Sequence, residues 1–512
     1  MNVLLLIPIA LPALAGILLL ASSFREHLMP RQPATEYLTQ ADLGEDKRIS
    51  KLHICAGTTL AVSVLFTLFC VLTGEKTLTL FTLLDAIPIY FHMDSAGAFF
   101  VAIVGLVWLA AGVYAFSYMR HEGEEKRFFG FYLLLYGVLV GLGFSGNLIT
   151  MYLFYELMTL VSAPLVLHNG TREAIMATLK YLFYSMCGAY GGLFGILFLN
   201  RYCTSLDFTA GGALDPAAVQ GHEGLVLTAV FVMILGFGVK AGMLPFHAWL
   251  PTAHPAAPSP ASAVLSAIIV KSGVLALVRT VYYIVGPKFL RGTWVQYAWM
   301  TLTLVTVFMG SMLAYREKVF KKRLAYSTVS QVSYILFGLS MLNQTAMAGA
   351  LLHTAAHALI KCGLFLTAGV FLYSFGCTRV EQLTGMGKKM PVTMWCYTFF
   401  ALALVGIPPT NGFISKWYLA EGALESGIAV FSWLGPAVLL ISALLTAGYL
   451  LPITMKAFFP GEEAAVLDLT RKEPSPCMLL PLIILAALVL LLGIFPNPLT
   501  RYVTEIVSSV LK

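Results

Sequence analysis

Long apolar runs recur along the chain from Leu4 to Phe495 and are separated by short polar segments. A run of about 18 or more residues is long enough to cross roughly 30 Å of hydrocarbon at about 1.5 Å per residue. The pattern therefore predicts an all-α, polytopic membrane protein of about 14 transmembrane helices. The predicted spans lie near residues 3–21, 53–73, 95–119, 129–145, 147–168, 175–199, 225–249, 260–285, 294–314, 325–342, 346–375, 391–424, 430–458 and 476–495.

Three segments near the start of the chain need separate interpretation. The first span has no basic residues before it and no convincing cleavage site after it, so we expect a retained helix rather than a signal peptide. Residues 24–51 form the longest polar insert, which we expect to be a cytoplasmic connection, and no further role is assigned to it. Residues 78–93 are apolar but contain Asp85 and Pro88 and are too short to span, which predicts an external hairpin.

Charge is scarce in this chain of 512 residues: 11% of the residues are charged and 59% are hydrophobic. A water-soluble surface needs more charge than this, so soluble enzymes, nucleic-acid binders and secreted disulfide scaffolds are excluded as descriptions of the whole chain. No Gly/Ser-rich linker interrupts the sequence, and we therefore expect a single membrane domain over residues 1–512. The formal net charge of +7 then reflects membrane topology.

The distribution of lysine and arginine predicts the orientation of the protein. Loops that follow odd-numbered spans contain nineteen of these residues, whereas loops that follow even-numbered spans contain six, counting the C-terminus. Positive charge accumulates on the cytoplasmic side of membrane proteins. We therefore expect a multi-pass protein of the cell membrane with both termini on the outer face. The basic residues left inside spans are Lys180, Lys240, Lys271, Arg279, Lys361 and Lys416.

Charged residues inside a bilayer are costly, so they are normally paired or lie on an ion pathway. Arg279 lies near the end of its span, where we expect its side chain to snorkel to the interface, and Lys180 can do the same. Glu156 is the only acidic residue near the middle of an uninterrupted span, and it needs a basic partner. The best candidate for that partner is Lys240.

Two spans carry a lysine beside a helix break. Pro245 has no N–H to donate, so the helix of span seven should end just after Lys240. In span twelve, Pro408 and Pro409 break the helix, and Lys416 follows within about two turns. Discontinuous helices of this kind build ion sites in transporters. Because the two breaks are five spans apart, an odd number, we infer two inverted five-helix repeats. Their ranges are residues 129–285 and 294–458.

Three titratable residues, His353, His357 and Lys361, are spaced four apart on span eleven and form one stripe about 12 Å long. Histidine exchanges protons near neutral pH, and Lys271 is a further charged residue inside a span, in span eight between the two helix breaks. The stripe therefore indicates proton transfer, with histidines that only pack in the core as the alternative. The histidine pair has the spacing of zinc ligands but lacks an acidic or cysteine partner nearby, and the eight cysteines form no CxxC pair. We expect no metal and no other cofactor in this chain.

Three segments of the sequence carry a family resemblance: residues 179–182 (LKYL), 240–254 (KAGMLPFHAWLPTAH) and 353–361 (HTAAHALIK). They resemble the antiporter-like membrane subunits of respiratory complex I, Mrp-type cation/proton antiporters and membrane-bound hydrogenases. The PFHAWLP core is highly specific, and the resemblance covers at least spans four to thirteen. Lys180, His247 and His254, which lie in these segments, are secondary candidates for proton transfer.

The resemblance implies a fourteen-helix fold with inverted five-helix repeats and a hydrated proton path through the membrane centre. The residues that it implies on this path are the pair Glu156 and Lys240, the central Lys271, His353 or His357, and the terminal Lys416. Some members carry glutamate at the terminal position, so Lys416 makes the chain more similar to Mrp D-type or hydrogenase-associated subunits. The sequence has no room for the long lateral helix of the largest complex I member, which disfavours that subunit.

The residues and the resemblance together predict a proton-translocating membrane subunit of a multi-subunit energy-converting complex. Its expected partners are other membrane subunits, and sodium exchange by the complex stays open. The chain has no flavin, iron–sulfur or nicotinamide motif, so electron transfer would belong to partners. Whether the complex is a quinone oxidoreductase, a hydrogenase or a cation antiporter also stays open. Two alternatives are a self-sufficient transporter of an organic solute and a scaffold whose buried charges are only structural.

Overall fold

The apolar runs fold into helices. The structure, a computed structural model, describes residues 2–28, 50–74, 76–83, 87–461 and 470–511, and within these ranges twelve helices are long and apolar enough to cross a membrane. In chain order the elements begin with a 3-10 turn Asn2–Leu6, α1 (Ile7–Leu28), α2 (Lys51–Leu72), β1 (Lys76–Leu83), β2 (Ile87–Met93), α3 (Ser95–Glu122), α4 (Glu125–Gly143), α5 (Leu148–Val166), α6 (Arg172–Leu199), α7 (Pro216–Val219) and α8 (Glu223–Ala241). They continue with α9 (Leu250–Ala256), α10 (Ser259–Val264), α11 (Val270–Val278), α12 (Pro287–Leu290), α13 (Trp294–Arg316), α14 (Phe320–Ser340), α15 (Gln344–Phe375), α16 (Met386–Lys389), α17 (Pro391–Val405), α18 (Asn411–Glu425), α19 (Phe431–Phe458), α20 (Pro476–Ile494) and α21 (Asn497–Val510).

Two of the predicted spans do not correspond to one long apolar helix. Span ten corresponds to α14, whose first turn contains Lys321, Lys322 and Arg323 and which is not among the twelve. Span twelve consists of two half-helices, α17 and α18, of 15 residues each. The structure thus confirms a mostly helical membrane architecture, whereas the count of fourteen spans and the inverted repeats over residues 129–285 and 294–458 stay predictions.

Both discontinuous helices predicted from the sequence are present. The residue after α8, Gly242, has a φ of +76°, and the residue after α17, Gly406, has a φ of +93°. Glycine is favoured at such a position because a side chain is strained in the left-handed conformation. Each break also contains a cis peptide bond, Leu244–Pro245 in the first and Pro408–Pro409 in the second.

Two helical segments form the centre of the bundle. Residues 259–285 and 346–371 are buried throughout. The first segment joins α10 to α11 through a π-helical turn, Leu265–Ile269, and ends in a second π-helical turn, Arg279–Val285. The second segment is the middle of α15. Charged side chains on these segments are therefore enclosed by protein rather than exposed to lipid, and π-helical turns are frequent at functional sites.

The strands β1 and β2 form an antiparallel hairpin, which confirms the predicted hairpin at residues 78–93. Its register runs from the pair Lys76 and Met93 to the pair Leu83 and Ile87. The Tyr90 hydroxyl on β2 donates a hydrogen bond to Asp207 Oδ1 at 2.7 Å, which ties the hairpin to the loop after α6. We call the end of the bundle that carries this hairpin the hairpin end.

The helix α21 is an amphipathic element that the sequence analysis did not predict, because its charged residues exclude a membrane span. The buried residues of α21 recur three or four positions apart, as expected for one apolar helix face. These residues are Val503, Ile506, Val507 and Val510. Tyr502 donates from its hydroxyl to Ser95 O at 3.1 Å, so α21 packs against the start of α3 at the hairpin end.

The prediction that Arg279 snorkels is wrong. The Arg279 side chain is buried, and its guanidinium forms an ion pair with Asp94, the residue before α3. The rings of Phe208 and Tyr283 lie 4.5 and 4.7 Å from its Cζ atom. The prediction failed because Asp94 lies 185 residues away along the chain and appeared to be a loop charge.

Most of the polar insert, residues 29–49, lies outside the described residues.

Candidate functional site

Lys240 lies in the last turn of α8 and is 1% exposed. Its ammonium group donates hydrogen bonds to Thr159 Oγ1, Tyr181 OH and Ser185 Oγ, each at 2.9 Å. These hydroxyls, which we call the hydroxyl cage, come from α5 and α6 and occupy all three donors of the lysine. Nζ also lies 4.4 Å from the centre of the Tyr181 ring, within range of a cation–π interaction. Neutral groups therefore stabilise this buried ammonium.

Glu156 does not form the predicted ion pair with Lys240 in this conformation. The described residues contain no salt bridge to Lys240, and Glu156 Oε1 is buried without a hydrogen-bond partner there. Glu156 and Thr159 are three residues apart on α5, so their side chains lie on the same face of that helix. The carboxylate is therefore next to the hydroxyl cage, about one helical turn, or roughly 5 Å, along α5.

Lys271 lies on α11, directly beside the π-helical turn Leu265–Ile269, and is 1% exposed. Its Nζ donates to Ser266 O at 2.7 Å and shares a hydrogen bond of 2.5 Å with His357 Nδ1, in which either nitrogen can be the donor. His357 Nε2, the other ring nitrogen, has no hydrogen-bond partner among the described residues. The two predicted residues Lys271 and His357 therefore form a directly bonded pair.

The helices that carry Lys240 and Lys271 are in close backbone contact. A methyl group placed on Gly273 of α11 would lie 2.9 Å from Ala241 N and 3.2 Å from Lys240 Cβ. These distances are shorter than normal van der Waals contacts, so only glycine allows this approach. The contact brings the centre of the bundle against the helix break after α8.

His353 is held on three sides. Its Nδ1 lies 2.9 Å from Ser415 Oγ on α18, and its Nε2 lies 3.1 Å from Gln331 Oε1 on α14. The Tyr334 ring stacks on the imidazole with 5.6 Å between ring centres. The rings of His353 and His357 are 6.0 Å apart, as expected for residues four apart on one helix.

Lys361 continues the predicted stripe along α15 but bonds to α14. Its Nζ donates to Leu324 O at 2.9 Å and to the Ser327 hydroxyl. Both the lysine and the serine are buried. The hydrogen bonds of Lys361 are therefore made to α14, near its basic N-terminal end, and not to the other lysines and histidines of the cluster.

Lys416 bonds to the second helix break. Its Nζ donates to Leu404 O at 2.6 Å and to Val405 O at 2.9 Å. These carbonyls belong to the last turn of α17, where a helix leaves its carbonyls without N–H partners and where positive charge is stabilised. Nζ also lies 5.0 Å from the centre of the Tyr334 ring, so the same tyrosine contacts His353 and Lys416.

The secondary candidates lie outside the bonded cluster. His254 is fully buried and stacks on Phe365 at 4.6 Å between ring centres, while both of its ring nitrogens lack a hydrogen-bond partner among the described residues. His247 is partly buried, and its Nδ1 also lacks a partner there. Lys180 is partly exposed on α6. In the described part of the chain, no three His, Cys, Asp or Glu side chains are grouped so that they could hold a metal ion.

The structure also reveals polar residues that the sequence analysis missed. They are Thr159, Tyr181, Ser185, Gln331 and Ser415, which contact the lysines and histidines of the cluster. Hydroxyl-bearing residues are common in transmembrane helices, so their presence in a span is a weak signal. Gln331 gives a stronger signal, because an amide in the middle of a span requires hydrogen-bond partners.

The sequence matches known membrane subunits over most of its length. A family model described as "NADH:quinone oxidoreductase/Mrp antiporter, TM" matches residues 145–446. NADH-quinone oxidoreductase subunit N of Desulforudis audaxviator (strain MP104C) is 34% identical over 435 residues, which cover 82% of this chain and 83% of that protein. Hydrogenase-4 component B of Escherichia coli (strain K12) is 31% identical over 436 residues, which cover 82% of this chain and 64% of that larger protein.

A solved structure shares the fold over the whole chain. It is a chain of the membrane-bound sulfane sulfur reductase (MBS), described as an archaeal respiratory membrane complex. The TM-score is 0.85 at 23% sequence identity, and the match covers 100% of this chain and 98% of that chain. At this identity the similarity shows the fold alone, and it extends beyond the residues that the family model matches.

Proposed function

Because the chain belongs to the family of NADH:quinone oxidoreductase and Mrp antiporter membrane subunits, we propose that it translocates protons through the membrane along its buried lysines and histidines. The observation that carries this proposal is the cluster of Lys240, Lys271, His357, His353 and Lys416. Five ionisable groups in the interior of a membrane bundle are costly to keep there, and such residues mark proton relays. Each of them contacts a group that can stabilise or exchange a proton.

Lys240 is the switchable end of the path. In its present position the ammonium is stabilised by the hydroxyl cage, and the Glu156 carboxylate is about one turn away on α5. Movement of the ammonium toward Glu156 replaces neutral partners with an opposite charge, which favours the protonated lysine. When the ammonium moves back to the hydroxyl cage, Lys240 binds its proton less tightly. A change in the position of Lys240 therefore changes its proton affinity.

Lys271 and His357 form the central step. The distance of 2.5 Å between Lys271 Nζ and His357 Nδ1 is short enough for transfer of a proton from the ammonium to the imidazole. After the transfer, Lys271 is a neutral amine and His357 carries a proton on both nitrogens. The imidazolium then releases the proton from Nε2, on the side of the ring away from Lys271, and the acceptor is His353, whose ring centre is 6.0 Å from that of His357 and which the proton reaches through a bridging water.

Lys416 is the terminal store of the path. The carbonyls at the end of α17 stabilise its charge, and Tyr334 contacts both its ammonium and the ring of His353. Ser415, the preceding residue, bonds to His353 Nδ1. His353 and Ser415 therefore give a short route by which a proton reaches the end of the second half of the bundle.

The chain would work as one membrane subunit among several. The relatives named above are a subunit and a component, and the structural neighbour comes from a membrane complex. The driving reaction, whether electron transfer or exchange of a cation such as sodium, would belong to that complex. The excess of lysine and arginine in odd-numbered loops supports a location in the cell membrane with both termini on the outer face.

The test is proton movement by the intact complex in membrane vesicles. Lys271→Met keeps the length of the side chain but removes the proton, and we expect it to lower complex-driven proton uptake by about 100-fold or more. The matched control is Lys318→Met, because Lys318 is a surface lysine with 72% of its side chain exposed. Co-purification of the partner subunits checks assembly in both variants.

Two measurements separate the alternatives. A scaffold with structural charges predicts unchanged proton uptake in Lys271→Met once the complex is assembled. A self-sufficient transporter of an organic solute predicts solute uptake by the purified chain alone, without its partners. Either result would reject the proposal.

A further inference from the structure

A small cavity lies beside Lys271 in the centre of the bundle. Its lining residues come from α3, α11, α15 and α21, and all of them are buried. The residues of α11 that line it are Lys271, Val274, Leu275 and Val278. From Val278 the chain continues into Arg279, whose ion pair with Asp94 lies at the start of α3 and hence at the hairpin end. The cavity therefore lies between Lys271 and the hairpin end.

The cavity has room for a water molecule but lacks the polar groups that would bind one. Its volume of about 20 Å³ exceeds the roughly 10–15 Å³ that one water needs, and a buried water also needs about two to four hydrogen-bond partners. Lys271 and Thr354 are the polar residues of the lining. Thr354 Oγ1 donates to Ala350 O at 2.9 Å. Lys271 Nζ bonds to Ser266 O and His357 Nδ1, so at most one of its N–H groups is left for a water. The cavity is therefore an apolar gap.

Ile506 covers this gap at the hairpin end. It is the residue of α21 that lines the cavity, and it is 2% exposed. Beyond the gap, the Asp94 side chain is 17% exposed, so solvent reaches the ion pair with Arg279. The chain from Lys271 to Val278 covers roughly 10 Å at about 1.5 Å per residue. An apolar layer of about this thickness therefore separates the buried ammonium from a partly exposed carboxylate.

We propose that Val274, Leu275, Val278 and Ile506, which we call the apolar seal, prevent protons from passing between Lys271 and the hairpin end. This inference rests on the proposed proton-translocating function, in which Lys271 carries the transported proton. A proton crosses such a gap only on water molecules or titratable side chains, and the seal residues have no polar side-chain atoms. Hydrophobic constrictions of this kind close ion paths by excluding water.

The seal determines where a proton on Lys271 can go. With the gap closed, the proton leaves through His357 Nδ1, the titratable partner of Lys271, and continues toward His353 and Lys416. With water in the gap, the proton reaches Asp94 at the hairpin end directly and bypasses Lys416. In the proposed orientation the hairpin end is the outer face, so an open seal would let protons cross without passing the second half of the bundle. The amphipathic helix α21 thus keeps the path through the bundle closed on this side.

The test measures passive proton flow through the full complex in membrane vesicles. A pH gradient is imposed across the vesicle membrane in the absence of the driving reaction, and its decay is followed with a pH-sensitive dye. Ile506→Asn introduces hydrogen-bonding groups and additional space at the gap. The matched control is Val503→Asn, because Val503 is also buried on the same face of α21 but does not line the cavity. Co-purification of the partner subunits checks assembly in each variant.

The expected result is specific to the seal. Ile506→Asn should speed the decay of the gradient by roughly tenfold or more, because water enters the gap and carries protons across it. Val503→Asn should leave the decay unchanged. The double variant Ile506→Asn with Lys271→Met should decay as slowly as wild type, since the flow passes over the Lys271 ammonium.

Three results would overturn the inference. The first is an unchanged decay in the assembled Ile506→Asn complex. The second is an equally fast decay in Val503→Asn, which would mean that α21 has detached as a whole. The third is a fast decay that persists in the double variant, which would mean that the protons do not pass Lys271.

Passive decay and driven uptake are separate measurements, so this inference and the proposed function fail in different ways. If the wild-type complex takes up no protons with its driving reaction, the proposed function fails. If the wild-type complex takes up protons and Ile506→Asn vesicles stay tight, the seal alone is rejected. If Ile506→Asn does not assemble, Ile506→Thr introduces a hydroxyl with a smaller change in volume, and the same three results decide.

Discussion

Arg279 and Asp94 form a bidentate ion pair. It joins the end of the buried segment 259–285 to the start of α3. The Nη1–Oδ2 distance is 2.5 Å and the Nη2–Oδ1 distance is 2.6 Å. The same carboxylate accepts a hydrogen bond from Gly97 N at 2.9 Å and so caps α3. One acidic residue therefore satisfies a buried guanidinium and the N-terminus of a helix, and it connects two elements that are far apart in sequence.

We expect Arg279→Met to destabilise the protein, because it leaves the Asp94 carboxylate largely buried without its counter-charge. Removing one partner of a buried ion pair typically costs about 3–5 kcal/mol. The measurement is the apparent melting temperature of the purified protein in detergent. The double variant Arg279→Met with Asp94→Asn should recover part of the loss, since it leaves no unpaired charge. Equal stability of wild type and Arg279→Met would show that the pair contributes nothing.

The ion pair also predicts how stability changes with pH. Burial alone would raise the pKa of the Asp94 carboxyl, but the Arg279 guanidinium and the Gly97 N–H hold the pKa below its usual value. A carboxyl with a lowered pKa stabilises the fold above its unfolded pKa of about 3.9, and this stability is lost as the pH falls through the folded pKa. The melting-temperature difference between wild type and Asp94→Asn should therefore be constant from pH 7 to 5 and shrink below pH 4. A difference that is independent of pH down to pH 3 would contradict this assignment.

The sequence predicted the ionisable residues of the cluster better than their partners. Lys240, Lys271 and Lys416 were identifiable because a charge in an apolar run has few explanations. Their hydrogen-bond partners are hydroxyls and backbone carbonyls, which occur in every span and carry no signal until the helices are packed. The same limitation applies to Arg279, whose partner Asp94 precedes a different span. The helix breaks were predictable because proline and glycine act locally.

Removing one hydroxyl of the cage should shift Lys240 toward Glu156. A hydrogen bond to a charged group contributes about 2 kcal/mol, so Tyr181→Phe should change the balance between the two positions by about 30-fold. If Lys240 stays at Glu156, it no longer moves between the carboxylate and the hydroxyl cage. Complex-driven proton uptake in vesicles should therefore fall about tenfold.

The control for this change is Tyr136→Phe, because Tyr136 is also buried and its hydroxyl bonds to Thr67, away from the cluster. Tyr136→Phe should leave proton uptake within about twofold of wild type. If both tyrosine variants lose uptake equally, the effect is one of packing and the hydroxyl cage has no special role.

Substitution of Gly406 should disturb Lys416. A left-handed conformation costs a residue with a side chain about 1–2 kcal/mol, and the new methyl group would also lie 2.9 Å from Lys416 Cδ. Gly406→Ala should therefore lower the melting temperature and reduce proton uptake. Gly427→Ala is the matched control, because Gly427 has a φ of +67° but no atom within 4 Å of the added methyl group. It should lower stability to a similar extent and leave uptake unchanged, and a loss of uptake in both variants would assign the effect to backbone strain.

α11 contacts α8 closely at Gly273. We therefore predict that the distance between the two helices limits the rate of proton transfer between Lys240 and Lys271. In Gly273→Ala the new methyl group would lie 2.7 Å from Phe237 O and 2.9 Å from Ala241 N, and both are backbone atoms that cannot rotate away. The helices must therefore separate, which typically costs about 1–3 kcal/mol in a packed core. We expect complex-driven proton uptake to fall more steeply than assembly, because proton transfer depends sharply on the distance between donor and acceptor. The matched control is Gly191→Ala, because the nearest atoms would lie 3.4 Å from the new methyl group, which is an ordinary van der Waals distance. This variant should change neither proton uptake nor assembly. Full uptake by an assembled Gly273→Ala complex would mean that protons do not pass between these two lysines by this contact.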